Sequence, residues 1–385
     1  MESPIFFQQR IARLQSLLEA SRKVHGSIDL DKIVPEVLMI LVKELELQGA
    51  ALVPDREAAG MQRFEYGRVP PCFSDGSDVP EGVPRFALRS QAGEPQAELL
   101  LALQDGRELD AEEANFVEGL TLQAAVAVEN ALSHENRLRW ERLRRDMETA
   151  RAIQHSLQPQ EMPRIPGYEI QARCEECLDV GGDYLDILGL PDGDVFLAVA
   201  DVAGKGLSSA LVGTSFRASL RAMLKAGTNL QEVGARINDL HFEEGEEARR
   251  KYVTAFFMIL RPGRHEVEIL NAGHNHGILC VEGGGHRLVK SSGPPLGMLP
   301  GRSYRKEIYP LPPGAVLMAY TDGLTEAMRN EEEYGPERLA EELEKKRGRP
   351  AKDLLDGIWD AVLEWEDGSG PPDDKTGLIM RRLPE

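Results

Sequence analysis

Val195-Phe-Leu-Ala-Val-Ala-Asp-Val-Ala-Gly-Lys-Gly206 is the stretch on which the fold turns. Its apolar run, Val195–Ala200, reads as a strand, and it ends on Asp201 with two glycines close behind. Working outward, the same design recurs. Asp183 follows Gly181-Gly182, Asp322-Gly323 follows the apolar run Val316–Tyr320, and Asp373-Asp374 precedes the run Thr376–Met380. Carboxylates at strand ends, beside glycines that let backbone approach closely, gather oxygen ligands for hard cations such as Mg²⁺ and Mn²⁺. Two such ions side by side can activate one water for attack on phosphorus. A single Asp-Gly would be ordinary turn chemistry. Four carboxylate sites at strand ends favour the metal reading.

These residues also carry a family resemblance. Val180-Gly-Gly-Asp-Tyr-Leu-Asp186, Ala200-Asp-Val-Ala-Gly-Lys-Gly206, Asn271-Ala-Gly-His274, Tyr320-Thr-Asp-Gly-Leu-Thr-Glu326 and Asp373-Asp-Lys-Thr376 stand in an order that resembles the bacterial, RsbU- and SpoIIE-like branch of the metal-dependent PPM (PP2C-like) protein phosphatases. The resemblance runs from about Thr149 to Arg382. It implies a β-sandwich flanked by helices, with two Mn²⁺ or Mg²⁺ ions at one end. It also implies catalytic and metal-binding roles for Asp183, Asp201, Asp322 and Asp373. Asp183 and Asp201 would bridge the ions, and the carbonyl of Val202 would complete one shell. Asp322 would hold the other ion with Asp373 or its neighbour Asp374. The implied substrate is a phosphorylated anti-sigma-factor antagonist, a STAS-domain protein of partner-switching stress signalling. The chain departs from the family pattern after His274, with His276 where proline is common.

The chain has 385 residues, 42% hydrophobic and 28% charged, enough for two domains with separate cores. A formal net charge of −19 argues against a nucleic-acid partner. No basic stretch leads into an apolar core near Met1, and no apolar run reaches bilayer length. The four cysteines, Cys72, Cys174, Cys177 and Cys280, do not form a disulfide framework. A reducing, cytoplasmic setting is expected.

The overall expectation is an α+β chain: a sensor domain over 1–132, a helical linker over 133–158 and a phosphatase domain over 159–385. Ile11 to Leu47 has helical spacing, broken near Gly26–Asp29, where Asp29 or Asp31 would cap a second helix. Strands are predicted at Gly49–Val53, Met61–Tyr66, Arg85–Arg89 and Ala97–Leu103, with loop chemistry over 75–84. Asp110-x-x-Glu113 is a capping box, and the helix it opens resembles the closing helix of a GAF domain, with an α/β/α layout implied. GAF domains are implied to bind a small molecule or protein, which the sequence leaves unnamed, and to dimerise.

From Ala111 to Gln158 there is no proline and a single glycine, Gly119, so one helix of roughly 70 Å is predicted. Trp140, Leu143, Met147, Ala150, Gln154 and Leu157 fall on a heptad seam, imperfect at Gln154, inside a basic surface. A homodimeric coiled coil is expected there, against the alternative of a helix lying on its own domain. Beyond it, helices are predicted at Gly206–Lys225, Leu230–Phe242, Pro336–Lys346 and Lys352–Glu366. Strands are predicted at Val253–Leu260, Val267–Leu270, His276–Val281, Ala315–Tyr320 and Thr376–Met380.

Several motifs have two readings. His274 is by residue type a proton donor to a departing Ser/Thr oxygen, or else a turn-stabilising residue. Asp186 either orients a metal-bound water or faces solvent. Gly204-Lys-Gly-Leu-Ser-Ser209 lacks the spacing of a P-loop. Cys174-Glu-Glu-Cys177 lacks a second pair for zinc and reads as two ordinary cysteines. A catalytically degenerate, partner-binding relative is the rival function, and the intact acidic residues argue against it.

Overall fold

The computed structural model describes residues 29–55, 61–73, 79–227, 229–281, 283, 285–366 and 373–384, with Gln15 and Leu18. The first half of the helical pattern over Ile11–Leu47, and residues 75–78 of the expected loop, lie outside the described residues. Two compact units divide at Arg144/Arg145, within the predicted linker.

In the first unit, α1 (Leu30–Glu44) starts where Asp29 caps it, its carboxylate accepting from the Asp31 backbone N–H at 3.1 Å. Four strands follow: β1 (Gly49–Pro54), β2 (Phe64–Gly67), β3 (Arg85–Arg89) and β4 (Pro95–Ala102). They form one antiparallel sheet in the order β2-β1-β4-β3. The apolar face of α1 (Ile33, Val37, Leu41) clusters with Ala50, Leu52, Leu99 and Leu101, and with Phe116, Leu120 and Val128 of α2 (Ala111–Leu157). Alternate residues Ala51, Leu100 and Ala102 pack with Phe73 on the opposite face. The capping box forms as expected. Glu113 N–H donates to Asp110 at 2.8 Å, and Asp110 N–H donates to Glu113 at 3.2 Å.

The helix so started is continuous for 47 residues. Two residues of the predicted seam, Gln154 and Leu157, have neighbours within the second unit. Gln154 bonds the backbone of Gly181, and Leu157 lines a small cavity with Asp183, Tyr184 and Arg217. Trp140 and Leu143 remain exposed.

The second unit is a sandwich of two five-stranded antiparallel sheets. Its strands are β5 (Tyr168–Glu175), β6 (Asp183–Gly189), β7 (Val195–Val202), β8 (Val253–Arg261), β9 (Glu266–Ala272), β10 (Gly277–Cys280), β11 (His286–Val289), β12 (Glu307–Pro310), β13 (Val316–Tyr320) and, last, β16 (Lys375–Arg382). One sheet runs β12-β9-β8-β7-β6 and the other β11-β10-β13-β16-β5. A two-stranded hairpin, β14 (Met328–Arg329) with β15 (Glu332–Glu333), stands apart.

The period of two assigns each face. Leu197, Val199, Phe256 and Met258 meet Leu317, Ala319, Leu378 and Met380 between the sheets. Phe196, Ala198, Phe257 and Ile259 point outward onto α3 (Leu207–Ala226) and α4 (Leu230–Glu243) through Phe216, Leu220 and Ile237. On the other outer face Val316, Met318 and Ile379 pack on α5 (Gly335–Lys346) and α6 (Ala351–Trp365) through Leu339, Ile358 and Trp359. Both faces of the central strands are covered, which is why Val195–Ala200 is apolar without alternation. The α+β class and the helix-flanked sandwich expected from the sequence are what the chain adopts. Among the described residues no helix is long and apolar enough to cross a membrane.

Candidate metal centre

The four acidic sites meet at one end of the sandwich. Asp183 opens β6 and lies directly across from Asp201 near the end of β7. Asp322 follows β13, and Asp373-Asp374 precedes β16, its partner strand. Antiparallel pairing thus brings the end of one strand beside the start of the next, in both sheets.

Asp183 is buried, 7% exposed. Its carboxylate accepts from Thr321 Oγ1 at 2.8 Å and Thr376 Oγ1 at 2.6 Å, both on the opposite sheet. Burial, with Asp201 beside it, raises its carboxyl well above the ordinary range. Asp201 is pushed up to about 7 by burial and then by Asp322, Asp373 and Asp374. Asp322 and Glu326 are also raised, first by burial and then by Asp373 and Asp322 respectively. A set of carboxylates that raise one another is short of positive charge, which a divalent ion supplies.

The adjacent aspartates part company. Asp374 is buried, and its two oxygens accept from the backbone N–H groups of Cys177 at 2.8 Å and Gly182 at 2.7 Å. Asp373 is partly exposed and turned outward, with a carboxylate oxygen grouped with those of Asp322 and Glu326 within 4.8 Å. Cys177 Sγ also comes within that distance of Asp373 and Asp374. Its thiol is pushed up to about 11, first by burial, and that of Cys174 higher still, so both stay neutral at pH 7.

Glycines make the crowding possible. A Cβ on Gly182 would stand 2.9 Å from the carbonyl oxygen of Val202, 3.3 Å from that of Gly204 and 3.4 Å from Asp201 Oδ1. That oxygen-lined gap has the donor chemistry Mn²⁺ and Mg²⁺ require, and the residues present fit such an ion. A Cβ on Gly323 would strike the Asp374 carbonyl at 2.1 Å.

Two sequence readings narrow. Asp186 does not face solvent: it is fully buried, gripped by Arg221 at 2.6 and 2.7 Å and by the Tyr184 hydroxyl at 2.5 Å. His274 is a turn residue. Its N–H donates to Asn271 Oδ1 at 2.8 Å, its Nδ1 lies 2.8 Å from Thr254 Oγ1, and burial holds the ring down to about 4. A ring neutral at pH 7 is a poor proton donor. It still lines a cleft of about 410 Å³ beside Asp322, together with His276, Tyr320, Thr325 and Glu337.

Thr321, Thr376, Glu326 and Lys205 have places here that the residue reading did not assign. The signal was present for the threonines, since each sits beside a ligand candidate in Tyr320-Thr-Asp322 and Asp374-Lys-Thr376.

Comparison with known proteins agrees with this geometry. The profile of the family described as stage II sporulation protein E (SpoIIE) matches residues 191–383. Protein IcfG of Synechocystis is 29% identical over 268 residues, covering 62% of this chain and 42% of that protein. Phosphoserine phosphatase RsbP of Bacillus subtilis is 24% identical over 185 residues, covering 47% of this chain and 45% of that protein. The chain therefore spans less than half the length of these two curated relatives. Among solved structures, the SiaA-PP2C domain of Pseudomonas aeruginosa superposes with a TM-score of 0.56 at 18% identity, covering 63% of this chain and 98% of that domain. The sandwich thus has the PP2C-type fold, and the chain belongs to the SpoIIE family.

Proposed function

We propose that the chain is a divalent-metal-dependent phosphoserine/phosphothreonine protein phosphatase. The observation that carries this is the convergence of acidic residues from both sheets: Asp183 pairs across from Asp201, Asp201 is acted on by Asp322, Asp373 and Asp374, and Asp322, Glu326 and Asp373 bring carboxylate oxygens within 4.8 Å of one another. Asp183, Asp201 and the Val202 carbonyl would hold one Mn²⁺ or Mg²⁺ ion, and Asp322 and Asp373 a second. Bound ions supply Lewis-acid chemistry, lowering the pKa of water and polarising the phosphoryl group. Asp374 braces the loops at Cys177 and Gly182 instead of reaching an ion. The cleft beside Asp322 receives the segment carrying the phosphorylated residue.

The likeness to a phosphoserine phosphatase supports a protein substrate, and the family resemblance supports a phosphorylated STAS-domain antagonist of an anti-sigma factor. We place the enzyme in the cytoplasm, with residues 1–132 as a GAF-like sensor for a ligand or partner. The upstream part of the seam, Trp140 to Ala150, serves as a homodimer contact. The rival reading, a binding module without catalysis, has no missing carboxylate to rest on.

Release of inorganic phosphate from a phosphoserine STAS protein, with Mn²⁺ and with a chelator, tests the proposal. Mn²⁺-dependent release is expected. Absence of turnover at saturating Mn²⁺, on the protein and on a chromogenic phosphate ester alike, would leave the binding module as the better reading.

A further inference from the structure

The centre already contains a cation. Lys205 Nζ lies 2.9 Å from Asp373 Oδ2, with its side chain 46% exposed, so the ammonium sits at the solvent edge of the cluster. Its charge also acts on Asp201, Asp322 and Glu326, in each case opposing the neighbouring carboxylates. Lys205 stands between Gly204 and Gly206, both with positive φ, on a loop that runs directly into α3. No acidic residue occupies the first turn of α3, so no carboxylate of that turn competes for the backbone N–H groups that follow Gly206. A second ammonium, that of Lys251, packs against the loop: a Cβ on Gly204 would stand 2.2 Å from its Nζ.

On a chain of net charge −19, this edge gathers lysines where a dianionic phosphoryl group must arrive. We propose that Lys205 is an exchangeable counter-ion: it holds Asp373 while the ion is away and, once the ion takes Asp373, turns to bind the phosphoryl oxygens of the substrate. The inference rests on the metal-centre reading above. The lysine's two partners differ in charge by design. It competes with the ion for Asp373 and co-operates with it for phosphate. A flexible four-carbon stem, 46% exposed, allows the exchange without backbone movement.

Two affinities of opposite sign test this, neither needing turnover. Mn²⁺ is titrated calorimetrically into parent, Lys205→Gln and Lys205→Arg, and inorganic phosphate is then titrated into each Mn²⁺-saturated protein. In Lys205→Gln, removal of the competing charge should tighten Mn²⁺ by about threefold or more. Loss of the charge-assisted contact should weaken phosphate by about fivefold or more. Lys205→Arg keeps the charge and should stay within about twofold of the parent in both. Parallel losses of both affinities in Lys205→Gln would mark a structural role and overturn the inference, as would two unchanged constants. A parent that binds no Mn²⁺ would overturn the metal centre itself, a failure distinguishable from the other two.

Discussion

Thr376 donates its hydroxyl to Asp183 at 2.6 Å across 193 residues of sequence, tying the last strand of one sheet to a buried carboxylate of the other. With Thr321 at 2.8 Å, it fixes which way the remaining Asp183 oxygen points. Thr376→Val keeps the shape and removes one donor. Mn²⁺ affinity should fall by about ten- to a hundredfold, the usual loss when a group orienting a ligand is deleted. Calorimetric titration reads it, and an unchanged constant would remove Thr376 from the centre.

Asp322→Asn should abolish phosphate release while leaving the circular dichroism spectrum intact. The amide keeps the volume but lacks the charge an ion needs, and it relieves the repulsion that raises Asp322 and Asp201. The metal-free variant should therefore melt no lower than the metal-free parent. Parental turnover at saturating Mn²⁺ would refute the assignment.

The neighbours Asp373 and Asp374 should separate by phenotype. Asp373→Asn should lose metal affinity with little change in melting temperature. Asp374→Asn replaces one carboxylate oxygen by an amino group facing a backbone N–H, either at Cys177 or at Gly182. A buried hydrogen bond to a charged group is worth about 1.5–3 kcal/mol, so this variant should melt several degrees lower. Swapped phenotypes would reverse the two roles.

Protons and metal should compete. Asp201, at about 7, must ionise to bind a cation, so Mn²⁺ affinity should climb as pH rises to about 7 and level off above. The same raised carboxyl makes a signed stability prediction. An unfolded aspartate titrates near about 3.9. The folded group therefore adds stability below that value, and the contribution is lost as pH rises through about 7. Thermal melts in chelator from pH 5 to 8 should drift downward, and saturating Mn²⁺ should cancel the drift. Flat chelator melts would show the cluster to be less strained than its burial implies.

Leu143→Asp with Met147→Asp should weaken self-association, because the upstream seam would then set like charges against each other in a dimer. Sedimentation of variant and parent, with turnover on the same samples, separates assembly from signalling. A parent monomeric at micromolar concentration would end the coiled-coil reading.

Much of the site was legible because its chemistry repeats. An apolar run, an aspartate and a glycine mark the end of β7 and of β13 alike, and covered faces leave no alternation to confuse a strand with a helix. The edge strand β5 was harder to place, since most of its residues are only half-buried and its pattern is weak. The different settings of Asp373 and Asp374 could not be read at all. Asp374 is held by two backbone N–H groups nearly 200 residues upstream, which sequence proximity cannot reveal. The bond from the Gln154 amide to the Gly181 backbone was likewise out of reach of the helical spacing.

The placement of β16 in the interior of its sheet, between β13 and β5, has a consequence for biosynthesis. Asp373, Asp374 and Thr376 are translated after the helices and the other strands of the unit among the described residues. Until they emerge from the ribosome, Asp183 lacks one of its donors and Gly182 its brace, so a nascent chain holds only part of the ion's cage. Contacts this distant in sequence also close slowly. The carboxylate cluster is therefore completed only when β16 takes its place between β13 and β5.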